Sequence, residues 1–305
     1  MSEFRFESSP FRRPGRWVRG GFHCHTVNSD GGLSPEETLA RYRKAGYGCV
    51  GITDHRKVTS TTQFSTGSFV AIDSIEAGAQ PDVIGVGATG PVDQQPSFCD
   101  KVCALARQGA FTIAAHPTYS AAMPEVYLSC PGLTAIEIFN AYCEEAYANG
   151  YATELWDMVL GAGKRIWGVA ADDAHLNEKK RYYSDVGHGW VEIWTEHLSA
   201  PDILNALRKG AFYSTQGPRF GSFTVEESRI AFECTPVRQV RWRTRGKCGH
   251  VEYPAGPEGL TQSSMPKWFA PRGYVRIELV DAAGLKAWSN PFFLESGPTT
   301  RNPIY

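Results

Sequence analysis

Gly21-Phe22-His23-Cys24-His25-Thr26-Val27-Asn28-Ser29-Asp30-Gly31 is the stretch on which the reading of this chain turns. Residues 20–26 read as a strand running into a loop, and on an extended backbone successive side chains alternate between faces. His23 and His25 therefore point to one side and Cys24 to the other, so two imidazoles can reach one ion. The pattern recurs downstream. His55 ends Gly51-Ile52-Thr53-Asp54-His55, Glu76 follows the apolar run 69–75, and His116 ends Ile113-Ala114-Ala115-His116. Asp173-Ala174-His175 follows the run 166–171 and sets a carboxylate and an imidazole on a common side. One histidine at a strand end is an ordinary hydrogen-bonding residue. Five of the eight histidines at successive strand ends, with acidic partners, specify a metal site. Imidazole mixed with carboxylate suits zinc, iron or manganese better than calcium or magnesium.

Around these residues short apolar runs alternate with helical segments. Ser34-Pro35-Glu36-Glu37 is a helix start, with Ser34 as N-cap and Glu37 at the capping-box position, and that helix stops at Gly46. Strands are expected at 49–53, 69–75, 83–86, 111–115, 135–139, 166–171 and 191–195, and helices at 97–107, 144–160 and 200–209. Strands alternating with helices imply βαβ units, a mainly parallel sheet and, with about seven strands, a barrel of class α/β. In such a barrel the chemistry sits at the carboxyl ends of the strands, where the histidines fall. From about Gln216 the pattern becomes strand-like, with Gly- and Pro-rich turns and no convincing helix. The chain divides accordingly into an N-terminal extension (1–19), a barrel (20–215) and a β-rich C-terminal domain (216–305). In the last of these, Val240, Trp242 and Thr244 alternate with Arg241, Arg243 and Arg245, giving a strand with an apolar and a basic face.

A length of 305 residues accommodates one large core, or a large domain with a small one appended. The formal net charge of −1 supplies no global attraction to nucleic acid or anionic membranes, which argues against long nucleic acid as a partner. No apolar run is long enough to span a membrane, and the first 19 residues show no secretory signal pattern. The eight cysteines form no CxxC pair and no dense framework, so they are expected to be reduced thiols in a cytoplasmic protein.

The run His23-x-His25-Thr26-x-x-Ser29-Asp30-Gly31, then Thr53-Asp54-His55, Glu76, His116-Pro117 and Asp173-x-His175, resembles the PHP (polymerase and histidinol phosphatase) family, in that family's order and over residues 20–215. The resemblance implies a distorted (β/α)7 barrel that hydrolyses phosphoesters with two or three divalent ions. By analogy His23, His25 and Asp173 would hold one ion, Glu76 would bridge to a second bound by His116, and Asp30, His55 and His175 would serve a further site. Asp54 would orient a histidine from behind. In one departure, residues 77–115 contain no histidine, where three-metal members of the family often place a ligand. The Glu76–His116 site is expected to be the weaker one.

The function expected is hydrolysis of a small-molecule phosphate ester, either monoester or diester, with water acidified by the ions attacking phosphorus. Glu76, Asp173 and Asp54 are the carboxylates nearest that chemistry, and Arg56, Lys57 and Arg219 are candidates for substrate phosphate. Tyr119 and Asn140 also lie just past strand ends. The alternatives are a metal-dependent hydrolase of a non-phosphate bond and a non-catalytic metal-binding module with a binding β domain.

Overall fold

The computed structural model describes residues 4–78, 80–179, 185–246 and 248–295. The chain forms two compact units, residues 13–217 and residues 1–12 with 218–305.

In the first unit the elements run β1 (Arg16–Gly21), α1 (Pro35–Lys44), β2 (Cys49–Ile52), β3 (Val70–Gly78), β4 (Asp82–Val86), α2 (Phe98–Arg107), β5 (Phe111–Ala114), α3 (Pro124–Leu128), β6 (Ala135–Asn140), α4 (Ala141–Tyr147), α5 (Thr153–Gly161), β7 (Trp167–Ala171), β8 (Trp190–Thr195), α6 (Ala200–Arg208) and β9 (Phe212–Thr215). The strand order is β9-β8-β1-β2-β3-β4-β5-β6-β7. Strands β1, β2 and β3 are parallel to one another, as are β5, β6 and β7. Strand β4 runs antiparallel to both its neighbours, because it returns from β3 as a hairpin instead of through a helix.

The sheet curls so that β7 meets β1. The His25 N–H donates to the Ala174 carbonyl at 2.9 Å, and Cys24 and Ala174 form a parallel bridge. Further down the seam a side chain replaces the ladder. The Ser214 hydroxyl of β9 accepts from the Ala170 N–H at 2.8 Å and donates to the Gly168 carbonyl at 2.8 Å. The expected α/β barrel is therefore present, distorted by the reversed β4 and by the inserted pair β8–β9.

Local sequence explains the helix starts. Ser34 accepts from the Glu37 N–H and Glu37 accepts in turn from the Ser34 N–H, a reciprocal cap that stabilises α1 by about 1 kcal/mol. Ser97 and Ser199 cap α2 and α6 by accepting from the Asp100 and Asp202 N–H groups. Helix α6 turns Ile203, Ala206 and Leu207 into a core shared with Val86, Phe111, Ile193 and Phe212. Burying each large apolar side chain contributes about 1.5–3 kcal/mol.

The single helix expected over 144–160 is two. Ala148 adopts a left-handed conformation (φ 56°) and ends α4. Residues 150–152 then pair with β6: the Asn140 N–H donates to Gly150 and the Ala152 N–H to Ile138. The end of β6 that runs past its pairing with β5 takes this segment as a partner, and that pairing wins over helix continuation. Strand β1 also begins at Arg16, four residues before the expected start, because residues 16–20 pair with β8.

The second unit contains β10 (Phe220–Val225), β11 (Ile230–Val237), β12 (Gln239–Arg243), β13 (Gly249–Glu252), β14 (Leu260–Ser264), β15 (Tyr274–Val280), β16 (Lys286–Ser289) and β17 (Phe292–Phe293). Every pairing among them is antiparallel, in the groups β10-β11-β14 and β13-β12-β15-β16, with β17 on β15. Residues near the N-terminus belong to this unit, since the Phe6 N–H donates to Glu227 and the Glu7 N–H to Phe293. On β12, Val240 and Trp242 are buried, and Arg241 pairs with Glu278 at 2.6 Å. All eight cysteines are free thiols. Among the described residues no helix is long and apolar enough to cross a membrane.

Candidate metal centre

Eight side chains from five strand ends and the loop after β1 converge at the carboxyl end of the barrel. Their donor atoms form three overlapping groups, each within 4.8 Å: His25, Asp30, His55 and His175; His23, Glu76 and His116; and His23, His25 and Asp173. His23 and His25 each belong to two groups, a sharing that spacing alone does not reveal. Glu76 lies at the centre. Its carboxylate is 3.0 Å from His116 Nε2, 3.0 Å from His55 Nδ1, 3.4 Å from His23 Nε2 and 3.5 Å from His25 Nε2. Asp173 Oδ1 stands 3.1 Å from His25 Nε2 and 3.3 Å from His23 Nε2. Asp30, on the loop after β1, reaches His175 at 3.2 Å and His55 at 3.6 Å.

These residues fit bound cations on their own chemistry. His23 Nε2, His25 Nδ1 and Glu76 Oε2 are buried without a hydrogen-bond partner, a costly state for polar atoms unless something else meets them. Backbone strain gathers here too, since Arg56, His116, Asp173 and Leu176 all hold positive φ (59°, 28°, 53° and 49°). The cavity above the cluster has a volume of about 690 Å³.

Charge reinforces the geometry. Burial opposes a charge on His23, yet Asp173, Glu137 and Glu76 together hold its pKa well above the ordinary value. Burial likewise opposes ionisation of Glu76 and Asp173, but the surrounding histidines, His23 foremost, hold both carboxyls well below their usual range.

No family model and no curated protein matches the chain. Among solved structures, a two-domain protein from Bacteroides vulgatus containing a predicted PHP-like metal-dependent phosphoesterase aligns over 90% of this chain and 95% of its own, with a TM-score of 0.53 and 12% identity. The chain shares the fold of that two-domain protein. A proposed metal-dependent phosphoesterase from Bifidobacterium adolescentis aligns over 55% of this chain and 92% of its own, with a TM-score of 0.39 and 15% identity.

Within this PHP-like barrel the supporting residues differ from expectation. The hydrogen bonds to the Asp54 carboxylate come from threonine and serine, not from a histidine. It accepts from the Thr26 N–H and hydroxyl and from the Ser29 and Thr59 hydroxyls, so it clamps the loop that carries Asp30. The carboxylate that does orient a histidine is Glu137, which sequence reasoning missed. Glu137 Oε1 is 2.6 Å from His23 Nδ1, while Oε2 accepts from the His116 N–H and from Asn140 Nδ2. Its signal was a lone acidic residue inside the fully buried strand Ala135-Ile136-Glu137-Ile138-Phe139. Asn140 also donates to Asp173 at 3.2 Å and caps α4. Of the three basic candidates, Arg56 lines the main cavity and is the one Lys or Arg in its lining among the described residues. Lys57 faces a separate cavity with Asn28, Ser34 and Thr59. Arg219 belongs to the second unit, where its backbone pairs with Thr235.

One pH effect follows for protein stripped of metal. Burial disfavours the charged form of His116, but Glu76 at 3.0 Å overrides this and raises the pKa from 6.5 to about 9. A folded-state pKa above the unfolded one gives stability that is fully present below about pH 6.5 and is lost as pH climbs through about 9. Chelator-treated protein is therefore expected to melt at progressively lower temperature between those values. Calorimetry at three pH values checks this, and a melting temperature that rises over the window contradicts it.

Proposed function

We propose that this protein hydrolyses a small-molecule phosphate ester, monoester or diester, using two or three divalent ions of zinc, manganese or iron. The observation that carries the reading is the convergence of five imidazoles and three carboxylates on one cluster, in which the buried His23 Nε2, His25 Nδ1 and Glu76 Oε2 lack a hydrogen-bond partner. When bound, such ions supply Lewis acidity and a water acidic enough to attack phosphorus at neutral pH. His23, Glu76 and His116 would hold one, His23, His25 and Asp173 another, and His25, Asp30, His55 and His175 a third.

The chain's own residues prepare this chemistry. Glu137 holds the proton of His23 on Nδ1, which leaves Nε2 with its lone pair toward the cluster. The His175 Nδ1–H donates to the Asp173 carbonyl at 3.0 Å, which leaves Nε2 toward Asp30. Asn140 fixes Glu137 and Asp173 relative to each other. Arg56 places positive charge at the mouth, where it can draw the ester phosphate in and offset charge in the transition state.

The test is metal content by mass spectrometry on purified protein, together with hydrolysis of a phosphomonoester and a phosphodiester. Two or three equivalents of transition metal with turnover of either ester supports the reading. Stoichiometric metal without ester hydrolysis turns it toward a non-phosphate bond, and no binding after reconstitution leaves a non-catalytic module.

A further inference from the structure

The cavity is lined by Tyr119, Tyr142 and Tyr147 as well as by Arg56, Gln80 and Asp82. Those three rings complete an arc between two histidines of the cluster. Centroids lie 4.8 Å apart from His175 to Tyr142, 6.1 Å to Tyr147, 5.1 Å on to Tyr119 and 5.5 Å to His116. Tyr119 and Tyr147 remain 37% and 48% exposed, so broad aromatic faces stand at the mouth. The arc is part of the lining of the cavity that holds the cluster. Its position is tied to the chemistry, because Asn140, the cap of α4, which carries Tyr142 and Tyr147, also donates to Glu137 and Asp173.

Resting on the phosphoesterase reading, we infer that the organic part of the ester is a planar aromatic group, an aryl ring or a nucleobase, that stacks on this tyrosine arc while its phosphate lies over the histidine cluster. Aromatic faces favour offset or edge contact with another π system and tolerate any planar ring, which makes the arc a selector of shape rather than of sequence or hydroxyl pattern.

The experiment compares adenosine 5′-monophosphate with ribose 5-phosphate on metal-loaded protein, since both break the same primary ester and differ in the base. Their methyl diesters serve as the second pair. The nucleotide is expected to show a KM lower by about tenfold or more, the range of one base–aromatic stack. Tyr147→Ala with Tyr119→Ala is expected to bring the two KM values within about twofold, while Tyr147→Phe with Tyr119→Phe, which keeps both faces, retains the preference. Equal KM values in the unaltered protein, or a preference that survives the double alanine variant, overturn the inference and leave the phosphoesterase reading standing. Failure to hydrolyse either pair with metal bound overturns both.

Discussion

Asp173→Ala is expected to lower ester hydrolysis by roughly 10³-fold or more, the several kcal/mol of charge stabilisation that a metal site supplies. The size follows from position. Asp173 is buried, its Oδ1 lies 3.1 Å from His25 and 3.3 Å from His23, and it belongs to the group that links those two residues. Without it Glu76, 3.4 and 3.5 Å from the two imidazoles, is left as the carboxylate beside both, and an ion there loses a ligand and part of its neutralising charge. Metal content should fall by at least one equivalent, and the circular dichroism of the folded chain should persist, since Asn140 can still bond Glu137 and cap α4. Activity within tenfold of the parent, with full metal content, would remove Asp173 from the site.

Gly32→Ala is the second large effect, and it acts through the backbone. A Cβ at Gly32 would lie 2.3 Å from the Leu176 carbonyl oxygen, and the Gly32 N–H donates to the His175 carbonyl at 2.7 Å. Neither partner is a flexible side-chain end, so the loop carrying Asp30 and the segment carrying His175 must separate. A cost of about 3 kcal/mol or more is expected, in the range of mutations that force a backbone apart. For a unit of this size that lowers the melting temperature by roughly 6–12 °C. Metal binding should weaken as well, because Asp30 and His175 are the two residues displaced. A drop below 2 °C with unchanged metal content would mean that the close approach is dispensable.

Much of this centre was legible in the sequence, and the reasons are local. Alternation along an extended chain is enough to turn His23 and His25 the same way, and the parallel-strand rule is enough to expect the chemistry at strand ends. What stayed hidden depends on contacts between distant segments. Glu137 looks like an anomaly in an apolar strand until His23, 114 residues away, is beside it. The family resemblance implies a histidine partner for Asp54, yet its carboxylate accepts from the Thr26 N–H and from the Thr26, Ser29 and Thr59 hydroxyls. The reversal of β4 and the break between α4 and α5 likewise reflect pairing with strand edges that local propensity does not encode.

The seam where β7 meets β9 has a thermodynamic consequence. Elsewhere the barrel wall is stitched by repeated amide pairs, but at Ala170 and Gly168 one hydroxyl stands in for them. A wall fastened in part through a rotatable hydroxyl parts more readily there than along an amide ladder. The carboxyl end of β7 leads to Asp173 and His175, and the facing end of β1 leads to His23 and His25. Ions held between those two ends would act as rivets across that line of the wall. Solvent exchange of the Ala170 amide would thus report, from beneath the barrel floor, whether the cluster above it is filled.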